Sequence, residues 1–202
     1  MSTNAEQRVT ELEAQLREVD TKLGKLGDCL SMLGSDPQKN IDTIVESTCV
    51  IIGAACSLYN RLDDASQSLC TWSIFHEPQG FAREDAPKGH ICYEATIKGG
   101  DRPVIIEDLR GTSWEESDVN VKKYGLKSYL GFPVKCRGKV VGSLCLVDVV
   151  PRKFSAVDVL VLNALAKAMA IEEDRKQVEK ELEDKLAIIE HQQLRLKQKG
   201  LS

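Results

Sequence analysis

The 202-residue chain has no C-x-x-C pair, although it carries seven cysteines: Cys29, Cys49, Cys56, Cys70, Cys92, Cys136 and Cys145. Their number is odd and their spacing irregular. Without paired ligand spacings a zinc site is not expected, and without an even framework neither is a disulfide-stapled fold. The thiols are expected to serve as small core residues in a reducing cytoplasm. No apolar run reaches about 18 residues, so no membrane span is expected. The first 30 residues are polar and acidic, so no secretory leader is expected either. A surplus of one charge is also missing. The 27 Lys and Arg are interleaved with 31 Asp and Glu, for a net charge of -4. A nucleic-acid-binding surface needs a basic stripe, and none is present. Aromatics are few, with two Trp, four Tyr and four Phe, so each one is informative.

What is present is a regular seam at the N-terminus. Val9, Leu12, Leu16, Val19, Leu23, Leu26, Leu30 and Leu33 are separated by 3, 4, 3, 4, 3, 4 and 3 residues. A single helix leaves such a stripe in water. The spacing therefore predicts a coiled-coil helix over 1–34, covered by a second copy in a homodimer. Gly24 and Gly27 lie off the seam and each weakens a helix interior by about 1 kcal/mol relative to Ala. Gly34 supplies the stop.

Asp36-Pro37 reads as the N-cap and first residue of a helix, with Ile41, Ile44, Val45, Thr48, Cys49, Ile51 and Ile52 at helical spacing and Gly53 at its end. The period then changes towards two. Ala54 to Arg61 and Leu69 to Phe75 read as strands joined across Asp63-Asp64. In the first, Cys56, Leu58 and Asn60 alternate with Ala55, Ser57 and Tyr59. His76 to Gly89 reads as a loop, and His90 to about Lys98 as a short helix. Val104 to Ile106 is a short edge-like strand. Asp108 to Tyr124 is polar, with one or two short helices stopped by Gly125. Ser128 to Lys135 and Lys139 to Asp148 form a hairpin turning at Arg137-Gly138. Ser155 and Asp158 make a capping box with Phe154 before it. A helix from Ser155 to near Lys197 spans roughly 60 Å at 1.5 Å per residue. Leu162, Leu165 and Met169 form one apolar stripe, expected to cover the sheet. Val157, Val161, Ala164, Ala168 and Ile171 form a second, continuing through Val178, Leu182 and Ile189, expected to face a partner helix. Arg175 and Lys185 interrupt it.

This order of elements resembles a GAF domain, and the likeness is carried by specific segments. They are Gly89-His90-Ile91-Cys92, the run from Gly99 to Leu109 (GGDRPVIIEDL), the run from Tyr124 to Val134 (YGLKSYLGFPV), Arg137 to Cys145 (RGKVVGSLC) and Phe154 to Asp158 (FSAVD). The resemblance implies an α+β fold. An antiparallel sheet of five or six strands carries helices on both faces and encloses a small-molecule pocket. The domain boundaries that follow are 1–34 for an N-terminal coiled-coil helix, 35–172 for the GAF domain and 173–202 for a C-terminal signalling helix. No output domain is present in this sequence, and Gly200-Leu201-Ser202 is expected to be a boundary.

The pocket is expected on the polar loop face, where a few polar groups converge. Candidate ligand-binding residues are Trp72, His90, Cys92, Tyr93, Asp108, Trp114, Tyr124 and Tyr129. Each has a plainer competing role. Trp72 and Tyr129 also fit strand core. His90 and Cys92 stand in a first helical turn, where N–H groups and the helix dipole favour an anion or a thiolate; capping and packing are the alternative. Asp108 fits a turn cap. Glu115, Glu116 and Asp118 fit a solvated, dipole-matched face better than a cation site.

The resulting expectation is a cytoplasmic, non-catalytic sensory module. It binds an unidentified small molecule and passes its state along dimeric helices to an output domain such as a histidine kinase or cyclase. A ligand-free dimerisation module is the alternative. Some GAF domains reduce free methionine sulfoxide with paired cysteines. Cys92 lies near the position of one of them, but Asp108 to Lys127 holds no cysteine to resolve it. The Cys-His pair that would attach a bilin is absent, since His90 and Cys92 come in the reverse order. A haem on His76 or His90 has no support either. No cofactor or metal is assigned.

Overall fold

The structure, a computed structural model, describes residues 2–63 and 66–198. Asp64 of the expected turn and the terminal Gly200-Leu201-Ser202 lie outside the described residues. In chain order the elements are helices α1 (Ser2–Met32) and α2 (Pro37–Ile52), then strands β1 (Cys56–Leu62), β2 (Leu69–Phe75) and β3 (Glu84–Asp85). A π-helical segment (Cys92–Ile97) and β4 (Val104–Ile106) follow, then the short helices α3 (Ser113–Ser117) and α4 (Val119–Tyr124). The hairpin β5 (Ser128–Cys136) and β6 (Lys139–Asp148) leads into α5 (Ala156–Gln198).

The strands form one antiparallel sheet in the order β3-β2-β1-β6-β5-β4. Alternation along β1 assigns its two faces, as the sequence predicts. Cys56 and Leu58 join the core on one face, and Tyr59 joins the core on the other. The β5–β6 turn places both Arg137 (φ 50°) and Gly138 (φ 80°) in the left-handed region, the geometry of a tight two-residue hairpin. The two-residue β3, inside the expected loop from His76 to Gly89, has no period to reveal it. It forms where Leu69 and Cys70 offer free backbone to Asp85 and Glu84.

Helices α2 and α5 cover one face, and α1 packs across those two helices. Their caps follow from sequence: Asp36 accepts from the amides of Gln38 and Lys39, and Gly53 closes α2 in the left-handed region. Ser155 and Asp158 exchange the reciprocal bonds of a capping box. Asp158 does a second job. Its other oxygen receives Lys22 of α1 at 2.7 Å, with Asp158 buried and Lys22 mostly covered. Burial disfavours the Lys22 charge, but bonds to Asp158 and Glu18 more than offset it and raise the pKa. Seventeen residues on, the Arg175 guanidinium donates to the Gly34 carbonyl, just past the end of α1, at 3.0 Å. Lys22 thus meets the start of α5, and Gly34 a point two-fifths along it. The two helices run in the same direction. Residues 4–18 of α1 and 177–195 of α5 are exposed throughout, and they project from opposite ends of the domain.

Two expectations change here. The N-terminal seam is divided. Val19, Leu26 and Leu33 pack on the chain's own core and Cys29 is buried beside them, whereas Leu12, Leu16, Leu23 and Leu30 are exposed. Three of the eight seam positions therefore need no second copy, because α2 and α5 cover them. The second stripe of α5 is also internal in its first turns. Val157, Val161 and Ala168 are buried in the same core as Leu162, Leu165 and Met169. A helix wedged between a sheet and two other helices buries most of its circumference. The outward line is instead Leu160 and Ile171, continuing to Val178 and Leu182.

Candidate functional site

The opposite face of the sheet carries a second, smaller core around Cys56, Leu58, Ile91, Leu109, Val121, Tyr129 and Cys145. Between this sheet face and the π-helical segment, α4 and the 76–91 loop lies a cavity of about 230 Å³. Its floor is β1 (Cys56, Leu58, Asn60) with Cys145 and Val147 of β6, and its roof includes Phe81, Ile91, Leu109 and Val121. Tyr129 forms part of the wall because β5 makes room for it. The position of a Cβ on Gly131 would lie 2.2 Å from the Tyr129 hydroxyl. That hydroxyl is 2.8 Å from Thr96 Oγ1, which pins the strand to the π-helical segment. The wider bore of that segment is consistent with a functional site.

Polar groups are few. His90 is buried, with Nδ1 3.4 Å from Asp118 and Nε2 3.4 Å from Asp85. Asp118 caps α4 through the amides of Asn120 and Val121 and also accepts from the Ile91 amide at 2.9 Å. The hydrogen bond to Asp118 is the largest influence on His90 and raises its pKa despite burial. Burial pushes Asp118 upward, but His90 and the backbone amides outweigh it and leave the carboxyl below its ordinary value. The roof loop is tied down at one atom. The Gly80 carbonyl accepts from Lys123 Nζ at 2.7 Å and from the Tyr124 hydroxyl at 3.1 Å.

Sheet order, flanking helices and cavity can be set beside known proteins. A family model described as "GAF domain" matches residues 36–172. The chain belongs to the GAF family. GAF domains are sensory and regulatory modules of signalling proteins. Among solved structures, the GAF domain of a phosphoenolpyruvate-protein phosphotransferase from Coxiella burnetii is similar, with a TM-score of 0.68 and 13% identity. The match covers 80% of this chain and 97% of that one. A free methionine-R-sulfoxide reductase from Neisseria meningitidis, solved with its substrate, matches with a TM-score of 0.62 and 17% identity over 78% and 89% of the two chains. A domain of a two-component sensor histidine kinase protein from Sinorhizobium meliloti matches with a TM-score of 0.55 and 11% identity over 72% and 95%. At these identities the likeness is one of fold. No curated protein matches the sequence.

Of the residues singled out from sequence, His90, Cys92, Tyr124 and Tyr129 line the cavity of this GAF domain. Four others lie elsewhere. Trp72 is on the helix-covered face, held between the Arg61 guanidinium at 4.5 Å and the Lys176 ammonium at 4.2 Å from its ring. Regular alternation would place it on the same face as Ile74, which lines the cavity, but the pairing of β2 with β1 shifts between Tyr59 and Asn60, and this bulge leaves Trp72 unpaired and turned to the helix side. Tyr93 carries Lys98 over its ring. Asp108 is half-buried and grips Arg110. Trp114 packs at the edge of the smaller core, away from the cavity wall.

Sequence reasoning passed over Asn60 and Asp118. Asn60 did leave a signal, since it is a polar residue in the apolar phase of a strand. Asp118 was read with Glu115 and Glu116 as a solvated face, and this reading is corrected. Asp118 is buried, because as the α4 cap it turns inward to His90. Glu115 meets Lys127 and Glu116 meets Lys122. Among the described residues no group of three or more His, Cys, Asp or Glu is placed to hold a metal ion. Burial pushes the Cys92 thiol well above its ordinary value. A thiol so shifted is a poor nucleophile. Among the described residues no helix is long and apolar enough to cross a membrane.

Proposed function

We propose that this GAF domain is a cytoplasmic, non-catalytic sensor. It binds a small molecule in the cavity beneath the π-helical segment and passes its occupancy to α1 and α5 within a homodimer. The observation that carries this is the cavity itself, an apolar hollow with a few convergent polar groups on one face of a sheet whose other face holds both long helices. His90, Cys92, Tyr124 and Tyr129 are the proposed contact residues. A ligand reaches the helices only through strands the two faces share. In β1, Leu58 and Asn60 touch the cavity, and Tyr59 between them bonds Glu173 of α5. Such coupling requires the two helix arrangements to differ in ligand affinity.

Dimerisation is supported by the five exposed positions of the α1 seam and by the outward line of α5, which lie on two helices running the same way. Sedimentation at micromolar concentration is expected to give twice the chain mass, and Leu16→Lys with Leu23→Lys to give the single mass. A wild-type monomer would remove the relay. A Val147→Trp variant, filling the floor, is expected to abolish any rise in Tm that small molecules give the wild type. A rise that survives Val147→Trp would place binding outside the cavity.

A further inference from the structure

The cavity wall contains a buried polar side chain whose hydrogen bonding is incomplete. Asn60 is 2% exposed. Its Oδ1 accepts from Thr71 Oγ1 at 2.7 Å, which fixes the orientation of the amide. Its Nδ2, with two hydrogens to place, has as partner only Cys145 Sγ at 3.6 Å among the described residues. Sulfur is a weak acceptor. A buried donor left in that state is unfavourable, and an acceptor brought into the cavity would relieve it.

The rest of the lining limits what can bring that acceptor. No lysine or arginine lines the cavity. Of the His and Asp side chains that do, His90 and Asp118 face each other with Asp85 on the far side of the imidazole, and His76 is engaged through Nδ1 with the Ala55 carbonyl at 3.1 Å. An anion entering here would meet no lysine or arginine, would approach the Asp118 carboxylate, and would lose its hydration to walls of Leu58, Ile74, Phe81 and Val147. Size adds a second limit. At about 30 Å³ per water-sized group, the volume holds roughly eight such groups, the scale of one substituted ring.

We propose that the cavity selects a neutral, ring-sized, largely apolar molecule whose carbonyl oxygen or ring nitrogen is received by the Asn60 Nδ2 donor. This rests on the cavity being the ligand site of the proposed sensor. It excludes phosphate esters and carboxylates as the recognised class, and it makes Asn60 the residue that tells a ligand with an acceptor from its hydrocarbon counterpart.

Three probes of nearly equal size test it on the full chain: acetophenone, benzoate and ethylbenzene. Binding is followed by NMR titration of ¹⁵N-labelled protein. In the wild type, acetophenone is expected to bind at least about tenfold more tightly than benzoate, a difference one hydrogen bond can supply. Asn60→Leu keeps the side-chain volume and removes the donor. It should lower acetophenone affinity about tenfold while leaving ethylbenzene unchanged. The Asn60 side-chain amide signal of the wild type should move with acetophenone and stay with ethylbenzene, which decides the matter should Asn60→Leu fail to fold. Benzoate binding as tightly as acetophenone, or an amide signal indifferent to acetophenone bound in the cavity, overturns the proposed class while leaving the cavity as a ligand site. Failure of all three probes to bind overturns both.

Discussion

The Tyr59 hydroxyl, in the centre of the sheet, donates to Glu173 Oε1 at 2.6 Å, where α5 is about to leave the domain. Glu173 is 2% exposed and has Arg61 Nε at 3.3 Å from its other oxygen. Arg61 in turn covers Trp72, and Lys176 covers the same ring. The root of the projecting half-helix is therefore fixed by charged groups on a strand that also floors the cavity.

Tyr59→Phe removes one donor from a buried carboxylate and keeps the ring. A buried acceptor left short costs about 1–3 kcal/mol. Equilibrium unfolding in urea is expected to show a loss in that range with an unchanged slope. An unchanged midpoint would mean that Arg61 alone satisfies Glu173.

The Tyr59 ring lies across Gly142 of β6. A Cβ there would stand 2.3 Å from the Asn60 carbonyl oxygen and 2.9 Å from the ring. The first neighbour is backbone and cannot swing away. Gly142→Ala is expected to destabilise by about 1–3 kcal/mol. Gly24→Ala and Gly27→Ala are the opposite case, since nothing lies within 4 Å of either added carbon. Each should stabilise by up to about 1 kcal/mol through helix propensity. Thermal melts of the three variants read both signs.

His90 supplies a pH dependence. Its pKa in the folded protein is raised, first by the hydrogen bond to Asp118. A group raised on folding contributes stability below its unfolded value, near 6.5. That contribution is lost as pH rises through the folded value. Asp118 is lowered on folding, so its share is present above its unfolded value and is lost on acidification through the folded one. The ion pair is complete between those limits. The stability difference between wild type and His90→Gln should be largest near pH 6 and shrink above pH 7. A difference that grows with pH would show that His90 is held neutral.

The thiols test the non-catalytic reading. Burial pushes Cys56 and Cys145 to about 12 and Cys92 well above its ordinary value. In the native protein at pH 8, Cys70 on the edge-ward strand β2 is expected to react first with a disulfide reagent. Cys92 and Cys145 should react only at the rate of unfolding. Rapid native labelling of Cys92 would instead revive thiol chemistry in the cavity.

Much of this was legible in the residues. Asp36-Pro37, Gly53, Arg137-Gly138 and the Ser155–Asp158 box are local devices. Each is completed within four residues, so the sequence states them in full. The β2 limits and those of β4 follow in the same way from period-two runs bounded by turn residues. The GAF fold was legible because its segments occur together and in order. Asp118 and Trp72 were read to the wrong side for a common reason. Which way a side chain turns at a helix cap depends on a partner 27 residues away, and which face Trp72 takes depends on a bulge that forms only in the pairing of β2 with β1.

The sequence by itself determined where the helices start and stop, which strands alternate, and that a long apolar stripe runs down α1. Only the tertiary structure decided how that stripe is shared. Docking α1 beside α5 buries Val19, Leu26 and Leu33 against the chain's own helices and leaves Leu16, Leu23 and Leu30 outside. The physical reason is that periodicity fixes the angle of each side chain about its own axis. The neighbour met at that angle is chosen by packing across the whole chain, and the same packing left a hollow over Asn60 on the opposite face.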